Sequence, residues 1–153
     1  MAKYKSTAKL SESEAAYLAG LIDADGTITL CRKHKNENRQ LAVSISNTDR
    51  QLLEFVRNSV SSGNITSKRT TKSNHTPSYT YAVYNRQAFS LLEQITKYLK
   101  TYKLKRARLI LDKYQEVTPR NGKYTPEMKE NRERFISTFL ETKPGSTISS
   151  SKL

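Results

Sequence analysis

The sequence predicts an α+β fold in which one four-stranded antiparallel sheet carries helices on one of its faces. Four short segments alternate apolar and polar residues, which is the pattern of a half-buried strand. Between and around them, apolar residues recur at the spacing of an amphipathic helix. The resulting order is α-β-β-α-β-β-α, followed by C-terminal helices. Because two hairpins separated by a helix pair most simply as one sheet, we expect a single sheet with the helices on one side.

The first helix is predicted to begin near Ser11, because Ser11 and Glu14 have the spacing of a capping box. Its apolar stripe is formed by Leu18, Leu21 and Ile22. Beside that stripe lie the small residues Ala16 and Gly20, four positions apart. Small side chains at this spacing allow a second backbone to approach closely, so this face is a candidate for packing against another helix.

Two carboxylates fall in the last turn of this helix. Asp23 and Asp25 lie at the negative end of the helix dipole, where anions are disfavoured. A divalent cation would offset that charge, and the alternative is a pair of solvated aspartates at a helix end. Gly26 is predicted to stop the helix in a left-handed conformation, before a strand that starts at Thr27.

The remaining elements follow from the same two periodicities. Strands are predicted over residues 27–33, 40–46, 65–70 and 79–84. A helix capped by Thr48 or Asp49 and stopped by Gly63 separates the two hairpins. Three later helices have apolar faces over residues 89–99, 107–114 and 128–139. We divide the chain into a flexible N-terminus (1–10), one domain (11–142) and a disordered basic tail (143–153).

One face of the sheet is predicted to be polar and basic. Alternation places on it Thr29, Cys31, Lys33, Gln40, Ser44, Thr66, Lys68, Thr70, Tyr79 and Tyr81. From Phe55 through Leu92 the chain contains no Asp or Glu, so its basic residues there stand unopposed. A solvated face has similar polarity but usually carries acids. The composition therefore favours a surface that binds a nucleic-acid backbone.

Composition narrows the class of protein further. The 153-residue chain has a net charge of +13, a pI near 9.9 and a mean hydropathy of −0.73, which favours a polyanionic partner. Cys31 is the only cysteine, so no intrachain disulfide forms and we expect a reducing compartment. His34 and His75 are too isolated to suggest a zinc site. We expect no membrane span, no signal peptide and no small-molecule cofactor besides a metal.

The string Leu18-Ala19-Gly20-Leu21-Ile22-Asp23-Ala24-Asp25-Gly26 resembles the signature of the LAGLIDADG homing endonucleases letter for letter. The predicted order of elements resembles the αββαββα core of that family over residues 11–117. Chains with a single signature work as homodimers in this family. The resemblance therefore implies an intron-encoded or intein-associated endonuclease whose dimer interface includes Ala16, Ala19, Gly20 and Asp23.

The resemblance also assigns the chemistry. It implies that Asp25 binds Mg²⁺ with help from the Ala24 carbonyl, whereas Asp23 holds the helix end by hydrogen bonds. Lys103, Asn47 and Arg50 match the polar and basic residues that surround the metals in relatives. Lys105 remains an alternative to Lys103, and Gln51 to Arg50. The expected reaction is a staggered double-strand break in DNA across the minor groove, one strand cut by each protomer.

The length of the strands limits the length of the DNA site that the sheet can contact. A ribbon of about 8 residues at ~3.3 Å each spans roughly 8 base pairs, so a dimer would recognise about 16 to 22 base pairs. Two-fold symmetry predicts a pseudo-palindromic site. Lys33, Lys35 and Lys68 are candidates to contact guanine and Gln40 to contact adenine. An RNA maturase that assists intron splicing, and a non-cleaving DNA-binding regulator, are the alternatives. The expected location is an organelle or a prokaryotic cytoplasm.

Overall fold

The structure is a computed structural model that describes residues 7–68 and 76–145. Its elements in chain order are α1 (Glu12–Asp25), β1 (Gly26–Cys31), β2 (Gln40–Asn47), α2 (Arg50–Val60), β3 (Asn64–Lys68), β4 (Ser78–Tyr84), α3 (Asn85–Ile95), a 3₁₀ helix (Thr96–Tyr98), α4 (Lys103–Lys113) and α5 (Pro126–Glu141). This order confirms the predicted α+β fold class.

The strands form one antiparallel sheet in the order β1-β2-β4-β3. The register places Val43 opposite both Ile28 and Val83. These three residues are at most 1% exposed, and they face the helices on the covered side of the sheet. The other side of the sheet carries no described helix. The fold therefore leaves one broad sheet face open, as the sequence predicts. None of the described helices is both long and apolar enough to cross a membrane.

Helix α1 begins as predicted but ends differently. The Ser11 hydroxyl accepts a hydrogen bond from the Glu14 backbone, and the Glu14 carboxylate accepts one from the Ser11 backbone. Gly26 is extended (φ −101°, ψ 174°), so the predicted left-handed stop is wrong. Glycine is needed there because a Cβ would lie 2.6 Å from the Ile22 Cα and 3.0 Å from the Ser44 carbonyl oxygen.

Helix α2 shows a similar correction. Its N-cap is Asp49, which accepts a hydrogen bond from the Gln51 backbone. Its left-handed C-cap is Ser61, at φ 60°, and not the predicted Gly63. Gly63 also has a positive φ, but its constraint is spatial, since a Cβ would lie 2.6 Å from the Tyr81 ring.

Residues 7–10 are held in place by Gln94 of α3. The Gln94 amide donates to the Thr7 hydroxyl at 3.2 Å and to the Ala8 carbonyl at 3.0 Å, and it accepts from the Leu10 backbone at 2.7 Å. Thr7 and Leu10 are each 8% exposed. The prediction of a flexible N-terminus is therefore wrong for these residues, which belong to the domain.

Two arginines connect α5 and the segments around it to the rest of the fold. Arg106 donates to the carbonyls of Thr142 and Ile28, each at 2.8 Å. Arg132 is 5% exposed and donates to the Val117 carbonyl at 2.9 Å. Part of the positive charge of the chain thus serves packing, and only the remainder is available to an external anion.

Candidate functional site

The end of α1 places Asp25 beside the end of β2. Asp25 is the last residue of the helix and is exposed to solvent. The Asn47 side chain donates from Nδ2 to Asp25 Oδ2 at 3.3 Å. Asn47 is itself oriented because its Oδ1 accepts from the Asp49 backbone at 2.8 Å. The structure therefore brings the predicted Asp25 and Asn47 together and orients the carboxylate from the sheet side.

Lys103 reaches the same helix end from α4. It is 7% exposed, and its Nζ donates to the Ile22 carbonyl at 2.7 Å and to the Asp23 carbonyl at 2.9 Å. Burial lowers the pKa of the Lys103 ammonium, and the carboxylates of Asp23 and Asp25 oppose part of that shift. The cation that offsets the helix dipole inside the chain is thus a lysine.

The two carboxylates of the signature have different surroundings. Asp23 accepts hydrogen bonds from the backbone of Lys100 at 2.8 Å and of Thr101 at 3.2 Å, and from the Thr101 hydroxyl at 2.5 Å. These bonds connect α1 to the turn before α4. Asp25 has one described hydrogen-bond partner, Asn47. Asp23 is therefore used within the chain, whereas Asp25 remains accessible.

The other predicted side chains lie outside this group. Arg50 pairs with Glu54 at 3.1 Å, and its guanidinium lies 5.4 Å from the centre of the Tyr79 ring. The Gln51 side chain is exposed and makes no described hydrogen bond. On α4 the ammonium of Lys103, and not that of Lys105, contacts the end of α1. Lys103 is thus the lysine that contacts the end of α1, and neither Arg50 nor Gln51 has a described hydrogen bond or ion pair with Asp25.

A divalent cation fits the atoms that one chain presents here, but one chain supplies only part of a site. The described residues contain no group of three or more His, Cys, Asp or Glu side chains that could hold a metal. The donors offered are the Asp25 carboxylate and the carbonyl of exposed Ala24, which Lys103 does not contact. Carboxylate and carbonyl oxygens suit Mg²⁺, which keeps several waters.

The open sheet face carries most of the side chains predicted for it. Thr29, Cys31, Gln40, Ser44, Thr66 and Lys68 share that face by strand alternation. Lys33 and Lys35 are exposed in the turn after β1, which ends at Cys31 and not at Lys33. Thr70 lies outside the described residues.

Tyr79 and Tyr81 lie on the opposite face, so their prediction as DNA contacts is wrong. Tyr81 is 0% exposed, and its hydroxyl donates to the Ser62 carbonyl at 2.7 Å. Burial raises the pKa of this phenol. Tyr79 has the same parity along β4 and packs against the core. Tyrosine fits either face, whereas Val83, two positions beyond Tyr81, belongs to the core and could have set the parity.

That parity brings other residues of β4 to the open face. Thr80 lies there, and its hydroxyl is 2.8 Å from that of Ser46 on β2. Tyr84, 42% exposed, and Asn64 of β3 also lie there. Thr80 and Tyr84 are not among the predicted contacts because the parity of β4 is predicted from Tyr79 and Tyr81. Asn64 lies one residue before the predicted start of β3.

The outer face of α1 is small and open. Ala16 and Gly20 are exposed, and nothing described lies within 4 Å of a Cβ built on Gly20. Ala19 is 0% exposed inside its own core, so its prediction as an interface residue is wrong. An aromatic pair, not among the predicted interface residues, lies nearby. Tyr17 (50% exposed) contacts Phe55 (43% exposed) edge to face, with ring centres 5.7 Å apart.

Comparison with known proteins begins with the sequence. A family model described as a LAGLIDADG-like domain matches residues 12–142. The chain belongs to the LAGLIDADG family. Among curated proteins, none matches it.

Solved structures share the fold of this LAGLIDADG chain. The homing endonuclease I-CvuI, in complex with the I-CreI target in the presence of Mg, matches with a TM-score of 0.70 and 18% identity over 90% of this chain and 87% of that chain. The archaeal intron-encoded I-Vdi141I, complexed with DNA, matches with a TM-score of 0.59 and 12% identity over 89% of this chain and 87% of that chain. I-GzeII, in complex with its DNA target, matches with a TM-score of 0.63 and 18% identity. That match covers 94% of this chain but 48% of the I-GzeII chain.

In this LAGLIDADG chain, three groups of residues in and around helix α1, which contains the signature, have different surroundings. The buried face, with Leu18 and Ile22, packs on the sheet. Asp23 and Lys103 stabilise the end of the helix through hydrogen bonds. Asp25, exposed and oriented by Asn47, is the member that can contact a ligand.

Proposed function

We propose that this LAGLIDADG chain is a site-specific DNA endonuclease that works as a homodimer and requires Mg²⁺. The observation that carries the proposal is the position of Asp25. It lies at the exposed end of a helix whose outer face presents Ala16 and Gly20 to a partner. A two-fold axis along such a helix pair would bring two Asp25 carboxylates together.

The dimer is supported by the composition of the exposed helix face. Ala16 and Gly20 permit close approach of a second backbone. The exposed Tyr17–Phe55 pair extends this face with apolar area that water solvates poorly. The fold match to I-GzeII covers 48% of that chain, which is the ratio expected if a longer relative contains two such units.

The side chains around the helix end would prepare each half of the active site. Asp25 and the Ala24 carbonyl would hold the metal, and Asn47 keeps the carboxylate turned toward it. Two Asp25 carboxylates brought close together repel one another, which a divalent cation relieves. When bound, Mg²⁺ activates water and stabilises the leaving oxygen. The Lys103 ammonium keeps the backbone of the helix end fixed during this chemistry.

The open sheet face is the surface that would recognise DNA. It combines hydroxyl, amide and basic side chains from all four strands, with Lys33 and Lys35 in the adjoining turn. The net charge of +13 favours the phosphate backbone. The similar structures of I-CvuI and I-Vdi141I were obtained with DNA. We therefore propose that this face enters the major groove and selects the site.

A cleavage assay tests the proposal. The substrate is a plasmid that carries the joined flanks of the intron or intein containing this reading frame, incubated with and without Mg²⁺. The wild-type protein should linearise it only with Mg²⁺, whereas Asp25→Asn should bind without cutting. Asn47→Ala should cut more slowly, since the carboxylate loses its orienting partner.

Two outcomes would contradict the proposal in different ways. Binding without cutting at every Mg²⁺ concentration would favour a DNA-binding regulator. If Asp25→Asn still cleaves the plasmid, residues other than Asp25 carry the reaction. The homodimer is tested by a separate measurement. Sedimentation of the DNA complex should give two protein chains per duplex. A single chain per cleaved duplex would refute it.

A further inference from the structure

A chain of hydrogen bonds runs from the core to the open sheet face. The Leu41 backbone N–H donates to the Tyr114 hydroxyl at 3.4 Å, and Tyr114 is 4% exposed. The Tyr114 hydroxyl donates to Asn85 Oδ1 at 3.3 Å. Asn85 Nδ2 then donates to Gln40 Oε1 at 3.1 Å. This series of hydrogen bonds therefore ends at Gln40, a side chain of the proposed DNA-binding face.

The hydrogen bonds of this series run in one direction. The Tyr114 hydroxyl accepts from the Leu41 N–H and donates its own proton to Asn85 Oδ1. Because Asn85 Oδ1 accepts that proton, its Nδ2 is the atom that faces Gln40. Gln40 Oε1 is thereby turned toward Asn85. Its Nε2 makes no hydrogen bond within the part of the chain that the structure describes.

We propose that Asn85 is a positioning residue that presents the donor end of the Gln40 amide to the DNA. This inference rests on the proposed function, since it concerns how the open sheet face selects bases. In the major groove guanine, adenine and thymine offer acceptor atoms, whereas cytosine offers only the N4 donor. With Nε2 directed outward, Gln40 favours guanine, adenine or thymine over cytosine as the base that it contacts on one strand.

Asn85 has a second, purely structural property that a test must separate from this role. It begins α3 with a positive φ of 53°, a conformation that Asn and Gly adopt more readily than most residues. A residue kept only for that conformation would be replaceable by glycine without any effect on base preference. A residue that orients Gln40 would not be.

The experiment measures relative binding of duplexes that differ at single base pairs of the cleavage site, without Mg²⁺ so that no cutting intervenes. The wild type should bind duplexes with cytosine at one position of the contacted strand in each half-site about fivefold more weakly than duplexes with the best base there. Asn85→Asp should reverse the disadvantage of cytosine, because a carboxylate accepts from Gln40 Nε2 and turns Oε1 outward. Cytosine and adenine, which offer the N4 and N6 donors, should then be bound better than guanine and thymine. Asn85→Gly and Tyr114→Phe should each reduce the discrimination without reversing it.

The controls distinguish this inference from the proposed function. Gln40→Ala should remove the preference, and adding Asn85→Asp to it should change nothing further. If the wild type neither binds nor cuts DNA, the proposed function fails. If the wild type cuts its site but Gln40→Ala leaves every base preference unchanged, the inference alone fails. It also fails if the preference depends on Gln40 but survives both Asn85→Gly and Asn85→Asp.

Discussion

Replacement of Lys103 by methionine tests whether its ammonium stabilises the end of α1. Methionine keeps a long apolar side chain but removes the charge and the donors at 2.7 and 2.9 Å from the Ile22 and Asp23 carbonyls. A hydrogen bond to a charged group contributes about 1.5–3 kcal/mol. Since the Ile22 carbonyl still accepts from the Gly26 backbone, the loss is partial there. We expect the free energy of unfolding to fall by about 2–4 kcal/mol.

Lys105→Met is the matched control for this measurement. Lys105 lies two positions along α4, is half-buried, and its side chain makes no described hydrogen bond or ion pair. Its replacement should change the free energy of unfolding by no more than about 0.5 kcal/mol. Urea unfolding followed by circular dichroism, at one protein concentration for all variants, measures both values.

The same comparison has a thermal readout. For a chain of this size a loss of 2–4 kcal/mol lowers Tm by about 5–15 °C. If Lys103→Met and Lys105→Met unfold within about 0.5 kcal/mol of each other, the ammonium does not stabilise the helix end.

Five further variants probe the same helix and the aromatic pair beside its outer face. Asp23→Ala should lower the free energy of unfolding by about 2–4 kcal/mol because it removes three hydrogen bonds. Asp25→Ala should change the free energy of unfolding by no more than about 1 kcal/mol, yet it should abolish cleavage. Gly26→Ala should lower stability by about 1–3 kcal/mol through the 2.6 Å contact with the preceding helix turn, as calorimetry can measure. Gly20→Ala should raise monomer stability by about 0.5–1 kcal/mol yet weaken dimerisation in sedimentation equilibrium. Phe55→Ala should weaken dimerisation without unfolding the chain, since that ring is 43% exposed; an unchanged dimer would exclude it from the interface.

Local sequence rules were sufficient for the order of elements. The capping box of Ser11 and Glu14 and the N-cap of Asp49 are determined by residues within three positions, and both are present in the structure. The alternation of β1 and β2 also gave the correct face, because each strand carries unambiguous aliphatic residues.

Several predictions failed or stayed open because they depend on contacts distant in sequence. A Cβ at Gly26 would meet the Ile22 Cα of the preceding helix turn at 2.6 Å and the Ser44 carbonyl oxygen of another strand at 3.0 Å, and no local turn rule contains the second contact. Ala19 and Ala16 are the same residue type three positions apart, and only the packing of α1 on the sheet shows that the first is buried. The choice between Lys103 and Lys105 likewise depended on where α4 crosses the end of α1.

The position of Lys103 changes the electrostatic argument that the sequence first suggested. Two carboxylates at the negative end of a helix seemed to require a divalent cation, but the chain already supplies a buried lysine ammonium at that end. Asp23 is satisfied by the turn before α4, so neither it nor the helix dipole needs a metal for folding. What remains without an internal cation in contact is the exposed Asp25 carboxylate. In the proposed function, stability and metal binding therefore belong to different atoms of one helix turn. The fold would then form before a partner, a metal and DNA complete the site.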